Sequence, residues 1–201
     1  MTKEKFIDLI IHRLSGGNTS ADLLGKYDKR VVEKHATVAM NSVMFDLFRS
    51  NESALDLYAK DHVVQVQNNT TYDRYYADFP AQIIQLPGQA GIRLITAKQD
   101  PTFVIPVVPS SAMSSLANLD VGNLDDRMYG YVTQERVYFV NKRDDIDYVL
   151  MKLVIPLDEY DWDDNIYLPS GKGVEIEQLI GDLMLRMPKE DMINDNNSER
   201  P

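Results

Sequence analysis

Met128-Tyr-Gly-Tyr-Val-Thr-Gln-Glu-Arg-Val-Tyr-Phe-Val-Asn141 decides the fold class. Residues 128–133 and 136–141 are two runs rich in tyrosine, valine and phenylalanine. The junction between them, Thr133-Gln134-Glu135, leaves room only for a reversal, so the stretch reads as an antiparallel hairpin. Tyr129 and Tyr131 alternate onto one face, and Tyr138 on the returning strand is placed to pack across from them. Working outward, residues 62–67, 81–86, 91–97, 103–108 and 149–156 also read as short strands, separated by Asn-Asn, Pro-Gly and Asp-Pro turn signals. Strands this close lack the dozen or more residues that a parallel crossover needs. The expected centre is therefore an antiparallel β domain over 58–168, a small sandwich or barrel. Its least regular part is 109–126, with a helical turn expected at 110–118.

Helical patterns flank the β domain, making the whole chain α+β. The N-terminal helical region covers 1–57. There Thr2 caps a first helix carrying Phe6, Ile7, Ile10, Ile11 and Leu14, which should stop at Ser15-Gly16-Gly17-Asn18. Asp28 caps a longer helix to about Arg49, with Val32, Ala36, Ala39, Val43 and Leu47 on one face. Val31, Val38, Phe45 and Phe48 widen its apolar surface, so it should need cover from more than one side: the first helix, the β region or a neighbouring subunit, with the last two expected. A C-terminal amphipathic helix lies in 169–188, with Val174, Ile176, Leu179, Ile180, Leu183, Met184 and Met187 on or beside one face and Pro188 ending it. The polar arm 189–201 has too few apolar side chains to order itself alone, so it is expected to order against a partner or stay mobile.

Composition narrows the function classes. A chain of 201 residues with 44% hydrophobic content suits one core, able to bury about 70% of its unfolded surface. The net charge of −10 opposes broad contact with phosphate backbones. There is no cysteine, which removes disulfides, zinc–thiolate sites and thiol catalysis. Nothing in the sequence approaches an uninterrupted membrane-spanning run, so no membrane anchoring is expected.

Residues with chemical potential point to contacts more than to catalysis. Asp158-Glu159-Tyr160-Asp161-Trp162-Asp163-Asp164 is strongly acidic. Asp161, Asp163 and Asn165 match the first ligand positions of a calcium loop, but Ile166 stands where glycine is needed and Lys172 where a bidentate glutamate is needed. The stretch reads first as a solvated acidic loop; ion binding and docking of a partner on Tyr160 and Trp162 are the alternatives. His12, His35 and His62 lack metal-ligand spacing, and Gly171-Lys172-Gly173 lacks phosphate-loop spacing. Tyr72, Tyr75, Tyr76 and Phe79 read first as core or cross-strand packing; the alternative for residues 70–79 is a tyrosine-dense loop able to bury rigid aromatics in another subunit, or a carbohydrate platform. No catalytic residue, metal ligand or cofactor is assigned.

At Thr2-Lys3-Glu4, Arg13-Leu14-Ser15-Gly16-Gly17, Gly25-Lys26-Tyr27-Asp28 and Asn41-Ser42-Val43 the chain resembles the neck and tail ring proteins of tailed bacteriophages, especially crAss-like phages. Pro188-Lys189-Glu190-Asp191 followed by Asn194-Asp195 is similar as well. The resemblance implies a structural virion protein without enzymatic activity, made in the host bacterial cytoplasm. It would repeat as a homo-oligomeric ring of twelve copies in the head-to-tail connector. Its neighbours would be the portal protein and other neck or tail ring proteins, and DNA would pass through without specific binding. Pro188, Asp191, Asn194 and Asp195 would contact a neighbour. A net negative wall suits such a conduit, because it does not grip passing phosphates. The competing expectation is a carbohydrate- or protein-binding β module that uses Tyr72, Tyr75, Tyr76 and Trp162.

Overall fold

The computed structural model describes residues 1–16, 27–71, 74–109, 111, 127–133, 135–168 and 172–185. The protein is α+β and divides into two units, one from 1–50 and 156–201, the other from 51–155. Both ends of the chain thus belong to one helical unit, and the β unit is the chain's middle.

The helical unit holds α1 (Lys3–Leu14), α2 (Lys29–Ser50) and α3 (Gly173–Leu185). Helix α1 begins where the sequence places its cap: Lys5 N–H donates to Thr2 Oγ1 at 3.4 Å and Phe6 N–H to the Thr2 carbonyl at 3.1 Å. It ends at Gly16, whose φ of +67° is a conformation that side-chain-bearing residues rarely adopt. Phe6, Ile7, Ile10 and Ile11 are buried at the spacing of one helical face. Helix α2 starts after Asp28, whose Oδ1 accepts the Arg30 N–H at 2.8 Å. Its buried side carries Val32, Ala36, Ala39, Met40, Val43 and Met44.

Helix α3 packs against α2, as do α1 and the short 3₁₀ turn Leu157–Glu159. Ile176 and Ile180 are fully buried and Met184 nearly so, four residues apart in succession. Arg13 and Glu177 add an ion pair between α1 and α3. The buried side of α2 is therefore covered within the chain. The reason is geometric: α2 is long enough to accept α1 and α3 on its buried side. The arm 189–201 and Pro188 lie outside the described residues.

Among the described residues the β unit forms two sheets. Strands β1 (Lys60–Gln65), β8 (Tyr148–Leu153) and β4 (Ile92–Ala97) form an antiparallel sheet with β8 central. The other sheet runs β2 (Gln67–Asn69), β3 (Arg74–Asp78), β7 (Arg136–Val140), β6 (Tyr129–Thr133), β5 (Val107–Val108). The expected hairpin is β6–β7, in register from Tyr129↔Val140 to Thr133↔Arg136. Only Val66 separates β1 from β2, so the chain turns a corner there from one sheet to the other. The Val66 N–H stays paired, to the Asp147 carbonyl at 2.9 Å.

Three expected elements came out differently. Residues 74–78, read as part of a loop, form β3, because β7 pairs with it from Tyr75↔Phe139 to Asp78↔Arg136. Residues 103–108 yield only β5, pairing parallel to β6, plus a bridge from Val104 to Thr96. Residues 81–86 form no ladder: Ile84 N–H reaches the Val154 carbonyl at 3.0 Å, and Leu86 N–H turns back to the Ile84 carbonyl at 2.9 Å. This segment crosses over Gly91, where an added Cβ would lie 2.5 Å from Ile83 Cγ2 and 2.6 Å from the Ile84 carbonyl oxygen. Pro80 and Pro87 bracket it and limit further pairing. The turn expected at 110–118 lies outside the described residues except for Ser111.

Two substitutions test this packing by urea unfolding. Ile180→Ala should destabilise the helical unit by about 2–5 kcal/mol, the usual cost of truncating a fully buried aliphatic residue. Gly91→Ala should cost about 1–3 kcal/mol through steric overpacking against Ile83 and Ile84. A loss within experimental error for either would contradict the corresponding contact.

Candidate interaction surfaces

The first surface is a row of tyrosines on the five-stranded sheet. Tyr76 of β3 lies opposite Tyr138 of β7, and Tyr138 lies opposite Tyr131 of β6. Strand alternation sends all three to one face, while Ala77, Val137 and Phe139 go to the other and are buried. Tyr131 and Tyr138 stack with centroids 5.4 Å apart and planes 16° from parallel; Tyr76 and Tyr138 are tilted at 6.0 Å. The Arg136 guanidinium sits 4.7 Å over the Tyr76 ring and pairs with Asp78 at 2.6 Å. Its pKa is pushed upward, first by the Asp78 hydrogen bond. Tyr76 Oη donates to Gln67 Oε1 at 2.8 Å, so the Tyr76 end of the row is held by both Arg136 and Gln67. Asp78 and Arg136 also border a groove of about 1000 Å³ along the unpaired segment 81–86.

A second feature is the acidic loop. The N-terminus of α1 leaves backbone donors without helical partners, and this loop supplies two of them. Lys3 N–H donates to the Asp164 carbonyl and Glu4 N–H to the Trp162 carbonyl, each at 3.0 Å. Thr2 bridges to Asn165, and the Ile166 N–H reaches the Met1 carbonyl at 2.9 Å. The Lys3 side chain is buried here: Nζ donates to the Tyr160 carbonyl at 2.6 Å, pairs with Glu33 of α2 at 2.5 Å, and lies 5.0 Å from the Trp162 ring centroid. A buried ammonium needs such partners to offset its lost hydration. Burial, followed by the charge of Asp164, pushes the Tyr160 phenol up to about 12.

The third surface is the outer side of α2. Arg30, Lys34, Val38, Phe45 and Arg49 are exposed and recur at steps of four or seven residues, opposite the buried stripe. Val38 and Phe45 remain 55% and 40% exposed, and Phe48 stands 6.4 Å from Phe45 by ring centroid. None of the three cations makes an ion pair among the described residues. Asp46 is the one exposed acid of α2 and lies to one side of this face.

The sequence-assigned contact residues fall in different places. Tyr76 joins the half-buried tyrosine row. Tyr75 points to the opposite face of the same sheet, where Lys142 Nζ lies 4.9 Å from its ring centroid. Tyr160 and Trp162 are half-buried against the start of α1. Tyr72, Pro188, Asp191, Asn194 and Asp195 lie outside the described residues. Among the described residues no group of three His, Asp or Glu side chains is arranged to hold a metal ion. Ile166, in the glycine position of the calcium pattern, is buried. Among the described residues no helix is long and apolar enough to cross a membrane.

Two components escaped sequence reasoning. Lys3 looks like any polar N-terminal residue, and only the distant Glu33 and Tyr160 reveal its role. The cations on α2 share the spacing of Val38 and Phe45, and only the burial of the helix's other side shows that they stand together on one open face. Compared with known proteins, the chain matches no family model and no curated sequence.

Glu33→Ala should destabilise the protein by about 3–5 kcal/mol in urea unfolding, because it strands a buried charge. Lys3→Met combined with Glu33→Leu should recover most of that loss; equal loss in the pair would refute the assignment. Because the folded Tyr160 pKa is raised to about 12 from 10.0, its stabilising contribution is complete below pH 10.0 and is lost as pH rises towards 12. Subtracting the phenolate absorbance titration of Tyr160→Phe from that of the unsubstituted protein should give one group ionising near 12. A difference curve centred at the ordinary tyrosine value would contradict it.

Proposed function

We propose that this protein is a structural subunit that assembles with copies of itself into a ring of the head-to-tail connector in a tailed phage particle. The observation that carries the reading is the outer face of α2, where Val38 and Phe45 stay exposed amid Arg30, Lys34 and Arg49. A monomer leaves such a face wet, whereas a ring covers it by placing it against a different patch on the next subunit. The sequence resemblance to neck and tail ring proteins supports the same reading and supplies the expected twelvefold symmetry, portal and ring-protein neighbours and virion location. The net charge of −10 suits a wall past which DNA slides without being held. In this role the protein binds and positions; it turns nothing over. The arm 189–201, with Pro188, Asp191, Asn194 and Asp195, acts as a strap on a neighbour.

The Tyr76–Tyr138–Tyr131 row favours a second reading, a β module that binds carbohydrate or protein. Flat rings beside the Arg136–Asp78 pair and an open groove suit stacking with polar recognition at one edge.

Native mass spectrometry of the purified protein, with and without the portal protein, should reveal a closed ring of twelve copies. Removing residues 189–201 should lower the proportion of rings while leaving the circular dichroism of the monomer unchanged. A strict monomer under all these conditions would overturn the ring reading. A glycan array signal abolished by Tyr138→Ala would favour the second.

A further inference from the structure

We infer that the outer face of α2 docks on the acidic loop 158–164 and adjoining surface of the next copy, making the head-to-tail contact of the ring. The inference rests on the ring reading and deepens it by naming both halves of the joint.

The two patches are complementary in charge and in apolar character. On α2, Arg30, Lys34 and Arg49 surround exposed Val38 and Phe45, with Asp46 off to one side. On the loop, Asp158, Asp161 and Asp163 are exposed, and Tyr167 shortly beyond is 66% exposed. A second copy is the occupant that the chain's own charge pattern selects, since it carries the acids that the cations lack.

The acidic loop is also held in shape before any partner arrives. Its carbonyls at Tyr160, Trp162 and Asp164 are engaged by Lys3 and Glu4, and its turn is closed by Asp164 N–H to the Asp161 carbonyl at 3.0 Å and Asp161 N–H to Asp164 Oδ2 at 3.1 Å. These bonds fix the backbone while Asp158, Asp161 and Asp163 stay exposed. A preorganised patch loses little entropy on docking. Both patches belong to the helical unit. They are different surfaces, so the contact is heterologous, the kind that generates a ring when its rotation closes.

Charge reversal with compensation tests the pairing. Three variants of the full chain are compared with the unsubstituted protein by sedimentation velocity over a range of concentrations and salt: Lys34→Glu/Arg49→Glu, Asp161→Lys/Asp163→Lys, and all four together. Every substituted side chain is exposed, and circular dichroism confirms the fold of each. Each double variant should weaken self-association on the order of tenfold, and the fourfold variant should restore most of it, because the exchanged charges again face their opposites. In the unsubstituted protein the association should weaken as salt rises.

Rings that form equally well in both double variants would overturn this joint while leaving the ring reading intact. So would a fourfold variant whose loss is the sum of the two. An unsubstituted protein that never associates, even with the portal protein, would overturn the ring reading itself. Phosphatidylglycerol vesicles or a DNA duplex that bind the unsubstituted chain but not Lys34→Glu/Arg49→Glu would also overturn the joint, since the face would then serve phosphate.

Discussion

Burial of the stripe Ile176, Ile180 and Met184 on a helical unit built around α2 is the constraint on which the rest of the structure depends. It joins a helix near one end of the chain to helices at the other. Apolar burial is undirected, so it does not by itself fix how those ends meet. Direction comes from the start of α1, where the carbonyls of 160–164 accept from Lys3 and Glu4 and the Lys3 ammonium is held between Glu33 and Tyr160. The apolar stripe drives the packing without direction, and the polar contacts of Lys3 and Glu4 direct it.

That division shapes the surface left for function. With its inner side filled by α1, α3 and the turn 157–159, α2 presents an outer side on which cations flank the apolar Val38 and Phe45. With its carbonyls engaged by Lys3 and Glu4, the acidic loop presents side chains on a fixed backbone. Two of the features that look functional are thus the outward sides of contacts that hold the helical unit together. The tyrosine row has a parallel origin: strand alternation that buries Val137 and Phe139 turns Tyr138 outward.

Local signals were the legible ones. The hairpin 128–141, the Thr2 cap and the stop at Gly16 could be read because each depends on residues a few positions apart. Strand β3 could not, since Ala77 is its one fully buried residue and its pairing comes from β7 far along the chain. Residues 81–86 carry a strand-like sequence, but Gly91 admits their backbone so closely that they cross over the sheet in place of extending it. The last helix was legible as amphipathic, yet amphipathicity does not name the surface that covers it, and the cover proved to include α2. Of the candidate surfaces, Tyr76 and the apolar residues of α2 were foreseen; Lys3 and the cationic rim of α2 needed three dimensions.

Helices from the two ends of the chain should open as one cooperative unit, distinct from the β middle. Native-state hydrogen exchange measures this directly, residue by residue, as opening free energies under increasing denaturant. Amides at Val43 in α2 and Ile180 in α3 should converge on one opening energy and one denaturant slope, distinct from those of Val149 and Met151 in β8. An α3 that exchanges independently while α2 stays protected would contradict the claim.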